Sequence, residues 1–173
     1  MRLLLAVLVL AAASPPTLAR NFQAPWTEAA AYVSAPDGDS VKVRTAARGV
    51  VSVRVAGIDA PERGQGYWRV ARAHLVRFVS TPGLNVSCYK TDQYGRAVCR
   101  VGTAAGDPGA SLLSAGLAWH YKRFQKEQGR DERELYARLE HQARERRIGL
   151  WQDPDPMPPE LCRKRRRMSE KCR

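Results

Sequence analysis

Val50-Val51-Ser52-Val53-Arg54-Val55-Ala56-Gly57-Ile58-Asp59-Ala60-Pro61-Glu62 decides how this chain is read. Valines at 50, 51, 53 and 55 make a strand, and the strand breaks at a proline. At the break stand two carboxylates three residues apart, Asp59 and Glu62, behind Arg54, which the strand itself carries. Proline fixes its own φ, so little is lost when the turn holds both acids in place. Oxygen donors on such a turn suit a hard cation. A surface strand and turn with two solvated acids fits the same letters, so the rest of the chain must decide.

Upstream, Tyr32-Val33 begins a strand that runs into Pro36-Asp37-Gly38-Asp39-Ser40, and Val41-Lys42-Val43-Arg44 alternates after it. Asp-Gly between two strands predicts a tight turn in which Gly38 supplies a positive φ and Asp37 caps the turn. Asp39 falls at the start of the next strand, where turn chemistry needs no acid, and is the better ligand candidate. Downstream, residues 65–80 have helical period, with Tyr67, Val70, Ala71, His74, Leu75, Phe78 and Val79 on one stripe. His74 on that stripe reads as a packed histidine and not a ligand.

Residues 84–89 and 97–101 read as strands joined by Lys90-Thr91-Asp92-Gln93-Tyr94-Gly95-Arg96. Residues 102–109 read as a flexible turn and 110–117 as a short helix. Ala118-Trp119-His120-Tyr121-Lys122-Arg123-Phe124 then interleaves aromatics with cations, the pattern of sites that stack bases while neutralising phosphate. Tyr121 is expected to face ligand, whereas Trp119 suits a core edge equally well. Residues 130–147 predict a long helix with Leu135, Leu139 and Ala143 on one face and a solvated charged face elsewhere.

The ends of the chain differ from its middle. Met1-Arg2, an apolar run over residues 3–13 and a Pro-broken stretch ending in Thr17-Leu18-Ala19 read as a signal peptide cut after Ala19, too short to span a bilayer. Residues 20–31 read as an irregular lead-in, 32–151 as one domain, and 152–173 as a Pro-rich linker with a basic tail. That placement is secreted or periplasmic, with no stable membrane insertion. The chain carries 29 Lys+Arg against 17 Asp+Glu, a net +12, and a pI near 10.1 points to a polyanionic partner: nucleic acid, a membrane surface or acidic polysaccharide. Four cysteines in an oxidising compartment read as two disulfides. Of the three pairings, the spacing favours Cys88–Cys99 across the hairpin and Cys162–Cys172 closing the tail.

Asp39, Arg54, Asp59, Glu62 and Arg96 together are parts that phosphodiester hydrolysis needs. Two acids can hold a divalent cation, a third can act on water, and two fixed guanidinium forks match phosphate oxygens. At these residues the sequence resembles the staphylococcal nuclease-like (thermonuclease) family. The resemblance rests on Asp37-Gly38-Asp39-Ser40-Val41-Lys42-Val43, on Arg54 through Glu62, on Asp92-Gln93-Tyr94-Gly95-Arg96 and on Gly116-Leu117-Ala118-Trp119. It implies an α+β fold, a five-stranded OB-fold-type β-barrel with three α-helices. It also implies Ca²⁺-dependent cleavage of DNA and RNA that leaves 3′-phosphate ends; the cysteines and the basic tail are additions to the family's minimal pattern, and a monomer is the default expectation.

Carried over by position, Asp39 and Asp59 become metal ligands with the backbone carbonyl of Ala60. Glu62 becomes the group acting on water, Arg54 and Arg96 grip the phosphate, and Tyr94 and Tyr121 flank the nucleotide. Ala60 stands where the family's founding member has threonine, and Gln93 where it has a lysine that binds a terminal phosphate. A non-catalytic barrel that binds polyanions is the rival reading, with the acids serving only as turn and cap residues.

Overall fold

A computed structural model describes residues 25–172. The signal-peptide reading of residues 1–19 lies outside them. Five strands close a barrel in the order β1-β2-β3-β6-β5: β1 (Trp26–Ser34), β2 (Ser40–Thr45), β3 (Gly49–Val55), β5 (Asn85–Thr91) and β6 (Ala97–Gly102). All neighbours are antiparallel except β3 and β6, which run parallel with Val53 opposite Ala97 and Val55 opposite Cys99. The five-stranded barrel expected from the sequence is present.

The period-2 pattern sets which faces turn inward. Val41 and Val43 on β2, Val51, Val53 and Val55 on β3, and Val86 on β5 are buried in one core, while Lys42 and Arg44 point out. Cys88 and Cys99 face each other directly in the β5–β6 register and form one disulfide; Cys162–Cys172 is the other. Both pairings match the spacing argument.

The lead-in is where the sequence reading is corrected. Trp26–Ser34 is a nine-residue strand and not an irregular segment, although Thr-Glu-Ala-Ala-Ala has little strand propensity. Pairing on both edges, with β2 at one end and β5 at the other, makes it a strand. Tertiary context overrides local preference here. Gly38 is also corrected: its φ is not positive. A Cβ there would sit 2.8 Å from the Cβ atoms of both Ala60 and Ala71, so the position needs space and not a left-handed backbone.

α1 (Trp68–Val79) buries Ala71, Leu75 and Val79 against the barrel and leaves Val70 exposed. His74 bonds Ser111 Oγ at 2.8 Å and stacks on Phe78, the packed role expected of it. α2 (Pro108–Ser114) begins earlier than predicted, because Asp107 caps it by accepting from the amides of Gly109 and Ala110, with proline in the first turn. β4 (Ile58–Asp59) pairs with β7 (Trp119–His120), tying the end of the opening stretch to the aromatic segment.

α3 (Arg130–Glu145) buries Tyr136, Glu140 and Ala143, whereas Leu135 is exposed. Glu140 is not part of a solvated face. Its carboxylate accepts from His120 N at 3.1 Å, Lys122 Nζ at 2.6 Å and Arg144 Nη2 at 3.1 Å, so the buried charge is paired. A fourth helix, α4 (Pro159–Arg167), follows the proline segment and adds to the three expected.

The chain after α3 docks through a pair of glycines. Gly116 and Gly149 both hold positive φ, 64° and 57°, and Leu150 N donates to Gly116 O at 2.8 Å. A Cβ on Gly149 would collide with the carbonyl oxygens of Gly116 and Ala115. Gly149→Ala is therefore expected to destabilise the fold by about 2–4 kcal/mol, combining a left-handed backbone cost with backbone overlap. A urea denaturation midpoint equal to wild type would contradict this packing.

Candidate active site

Each candidate side chain is delivered by a different element. Arg54 comes from β3, on the face opposite the core valines, yet it is only 9% exposed. Its Nη1 donates to Val55 O at 2.7 Å. Its Nη2 reaches Asp59 Oδ1 at 3.1 Å and Asp39 Oδ2 at 3.3 Å, so one guanidinium joins the two acids. Asp39 is brought there by the β1–β2 connection, which Gly38 lets press against Ala60 and Ala71. The amide of Ala60 then donates to Asp39 Oδ2 at 2.7 Å and fixes the carboxylate. Asp59 lies on β4, held by pairing with Trp119.

Arg96 enters from the β5–β6 loop. Asp92 organises that loop, accepting from the amides of Tyr94 and Arg96 with one oxygen, each at 2.9 Å, and from the Arg96 side chain with the other, at 2.8 Å. Arg96 Nη1 also donates to Ser40 Oγ at 3.0 Å, and Ser40 Oγ donates to Asp39 Oδ1 at 3.2 Å. A continuous polar chain therefore runs from Asp92 through Arg96, Ser40 and Asp39 to Arg54 and Asp59. Asp92 and Ser40 were not singled out as site residues. Their signal was the Asx-turn chemistry of Asp92 and the position of Ser40 beside an acid.

Asp39, Arg54, Asp92 and Arg96 line one cavity of about 730 Å³ with Asp37, Glu62, Tyr94, Tyr121 and Phe124, whereas Ser40 and Asp59 are buried and do not line it. Tyr94 is 70% exposed, with the Arg96 guanidinium 5.5 Å from its ring centre. Tyr121 lies under Arg54 at 5.9 Å. Trp119 is not in this wall; it is buried edge-on against Trp151.

Charge in the site is finely balanced. Burial, and then the Asp39 charge, push Asp37 up to about 6. Burial also raises Asp59 to about 6, against the pull of Arg163, with Asp39 raising it further. Crowded, desolvated carboxylates of this kind favour a nearby cation. Asp39 and Asp59 offer hard oxygen donors, a chemistry that fits a hard divalent cation. Among the described residues no group of three or more His, Cys, Asp or Glu is arranged around one metal position.

Arg163 was not foreseen. It extends from α4, and its Nη1 and Nη2 bond Asp59 Oδ1 and Oδ2 at 3.0 and 2.9 Å. Nη1 also bonds Glu62 Oε1 at 2.7 Å. Sequence reasoning treated residues 160–173 only as a basic run, with no means of placing one arginine on these acids.

Comparison with known proteins bears on this arrangement. The profile of the family described as staphylococcal nuclease homologue matches residues 52–153, more than half of the chain and inclusive of Arg54, Asp59, Glu62 and Arg96. The chain belongs to the staphylococcal nuclease family. Among its relatives in that family, an uncharacterized endonuclease of Escherichia coli O157:H7 is 31% identical over 131 residues, covering 75% of this chain and 81% of the relative. A micrococcal nuclease of Shigella flexneri is 33% identical over 132 residues, covering 71% of this chain and 73% of its own. The staphylococcal-like nuclease CAN1 of Arabidopsis thaliana is 35% identical over 115 residues but extends well beyond the match, which covers 34% of it. As a staphylococcal nuclease family member, the chain carries α4 and its arginine beyond the matched residues.

Proposed function

We propose that this protein is a secreted Ca²⁺-dependent nuclease that hydrolyses DNA and RNA with little sequence preference and leaves 3′-phosphate ends. The observation that carries the reading is the convergence of Asp39, Arg54, Glu62 and Arg96 on one cavity from separate elements, with buried Asp59 paired to Arg54. In this reading Asp39, Asp59 and the Ala60 carbonyl hold the cation. Bound there, it supplies positive charge beside the phosphate and lowers the cost of the developing negative charge.

The chain's own residues do the rest. Arg54 and Arg96 donate to the non-bridging phosphate oxygens, more strongly as charge builds on them in the five-coordinate transition state. Arg54 is anchored by Val55 O and Arg96 by Asp92, so neither fork must be ordered at the moment of reaction. Glu62 orients a water in line with the scissile bond and takes its proton. The water oxygen bonds to phosphorus, the bond to the 5′-oxygen breaks, and the phosphate stays on the 3′ side. The 5′-oxygen leaves with a proton as a hydroxyl. Tyr94 and Tyr121 offer faces to the flanking bases or sugars, contacts that do not read sequence.

No helix among the described residues is long and apolar enough to cross a membrane. The two disulfides support an oxidising compartment. The leaving-group assignment is tested on the products. Fragments of a defined oligonucleotide digested in calcium chloride are expected to accept terminal extension only after phosphatase treatment. Fragments that carry free 3′-hydroxyls from the outset would reverse the polarity of cleavage.

A further inference from the structure

Asp59 is paired with two guanidiniums, and they are not equivalent. Arg54 is buried, bonded to the Val55 carbonyl and shared with Asp39. Arg163 reaches in from α4, and its side chain stays 30% exposed toward the cavity. It takes both oxygens of Asp59 in a fork and one oxygen of Glu62. It therefore sits on a metal-ligand candidate and on the group assigned to water at the same time.

The helix is delivered there independently of that contact. Cys162 is fully buried and bonded to Cys172. Gln65, itself buried, donates to Met157 O at 2.9 Å while its Oε1 accepts from Glu62 N. Arg123 pairs with Glu160 at 2.7 Å across the cavity mouth, and Arg166 bonds Arg63 O. These ties fix the backbone of α4, so the position of Arg163 is a property of the docked tail.

We propose that Arg163 competes with the divalent cation for Asp59 while it occupies Glu62, so that the C-terminal helix sets the metal affinity of the site. The proposal rests on the reading of Asp39 and Asp59 as metal ligands. A dication added beside Asp59 with both guanidiniums in place would gather excess positive charge on one carboxylate. The exposed arm yields, because Arg54 is buried and also held by Val55 O and Asp39, whereas Arg163 has solvent behind it. Its fork bond to Asp59 is what the cation must displace.

The experiment is a calorimetric titration of calcium chloride into four full-length proteins: wild type, Arg163→Ala, Arg163→Lys and Asp59→Asn, with thermal melts to establish folding. Arg163→Ala is expected to bind at least about tenfold more tightly than wild type, equivalent to removing one charge-assisted contact of the competitor. Arg163→Lys, which keeps the charge but loses the fork, falls between them. Asp59→Asn loses binding. Equal or weaker affinity in folded Arg163→Ala overturns the competition, and a loss in Asp59→Asn alone leaves the metal-ligand reading standing. If Arg163→Ala does not fold, Arg163→Lys decides: affinity at or below wild type overturns the proposal. Absence of binding in wild type and both Arg163 variants overturns the proposal and the metal reading together.

Discussion

Arg96→Ala is expected to lower the cleavage rate by about 10³-fold, the scale of losing one preorganised donor to a developing oxyanion. Its melting temperature should stay close to wild type. Arg96 is 29% exposed at its side chain, and Asp92 keeps its bonds to the backbone amides of Tyr94 and Arg96 when the guanidinium is gone. Arg96→Lys restores the charge without the planar fork, so it should recover only part of the rate. Steady-state kinetics on a short duplex with a parallel thermal melt reads both quantities. A near-full rate in folded Arg96→Ala would remove this residue from the reaction. Arg54→Ala should lose rate as well, but not cleanly. It leaves Asp39 and Asp59 without their shared partner, and breaking a buried charge network of this kind costs about 3–5 kcal/mol.

Glu62→Gln carries the second large effect. Loss of the proton acceptor is expected to lower kcat by about 10²–10⁴-fold with little change in KM. The fold should not suffer, because the structural bonds of residue 62 run through its backbone: its amide to Gln65 Oε1 and its carbonyl from Gln65 N. A glutamine also retains an oxygen for Arg163. A wild-type kcat in the variant would assign the water to another group.

The barrel was legible because its strands are locally honest. Alternating valines on β2 and β3 and a Cys88/Cys99 pair in register specify faces and neighbours with no outside help. β1 was not, since its alanines become a strand only through partners distant in sequence. The site divides the same way. Asp39, Arg54, Asp59, Glu62 and Arg96 were visible as types at suitable spacing, and the fold brings four of them to one cavity, with Asp59 buried against Arg54.

What a linear sequence could not convey was coupling between them. That Arg54 neutralises two acids follows from the β3 register, and that Ala60 contributes its amide to Asp39 follows from the close approach at Gly38. Arg163 is the extreme case. One arginine among five consecutive basic residues differs from its neighbours only because α4 docks with that face inward.

The same view corrects an expectation for the tail. Residues after Trp151 read as a stiff linker and a cationic extension, yet they return to the site through Gln65, Arg123 and the Asp59–Glu62 pair.

Metal-dependent phosphodiester cleavage is tested by incubating plasmid DNA with the protein in calcium chloride and, separately, in EGTA. Degradation is expected with calcium and intact plasmid with the chelator. Retarded but uncut plasmid in both conditions would contradict it and leave a polyanion-binding barrel in its place.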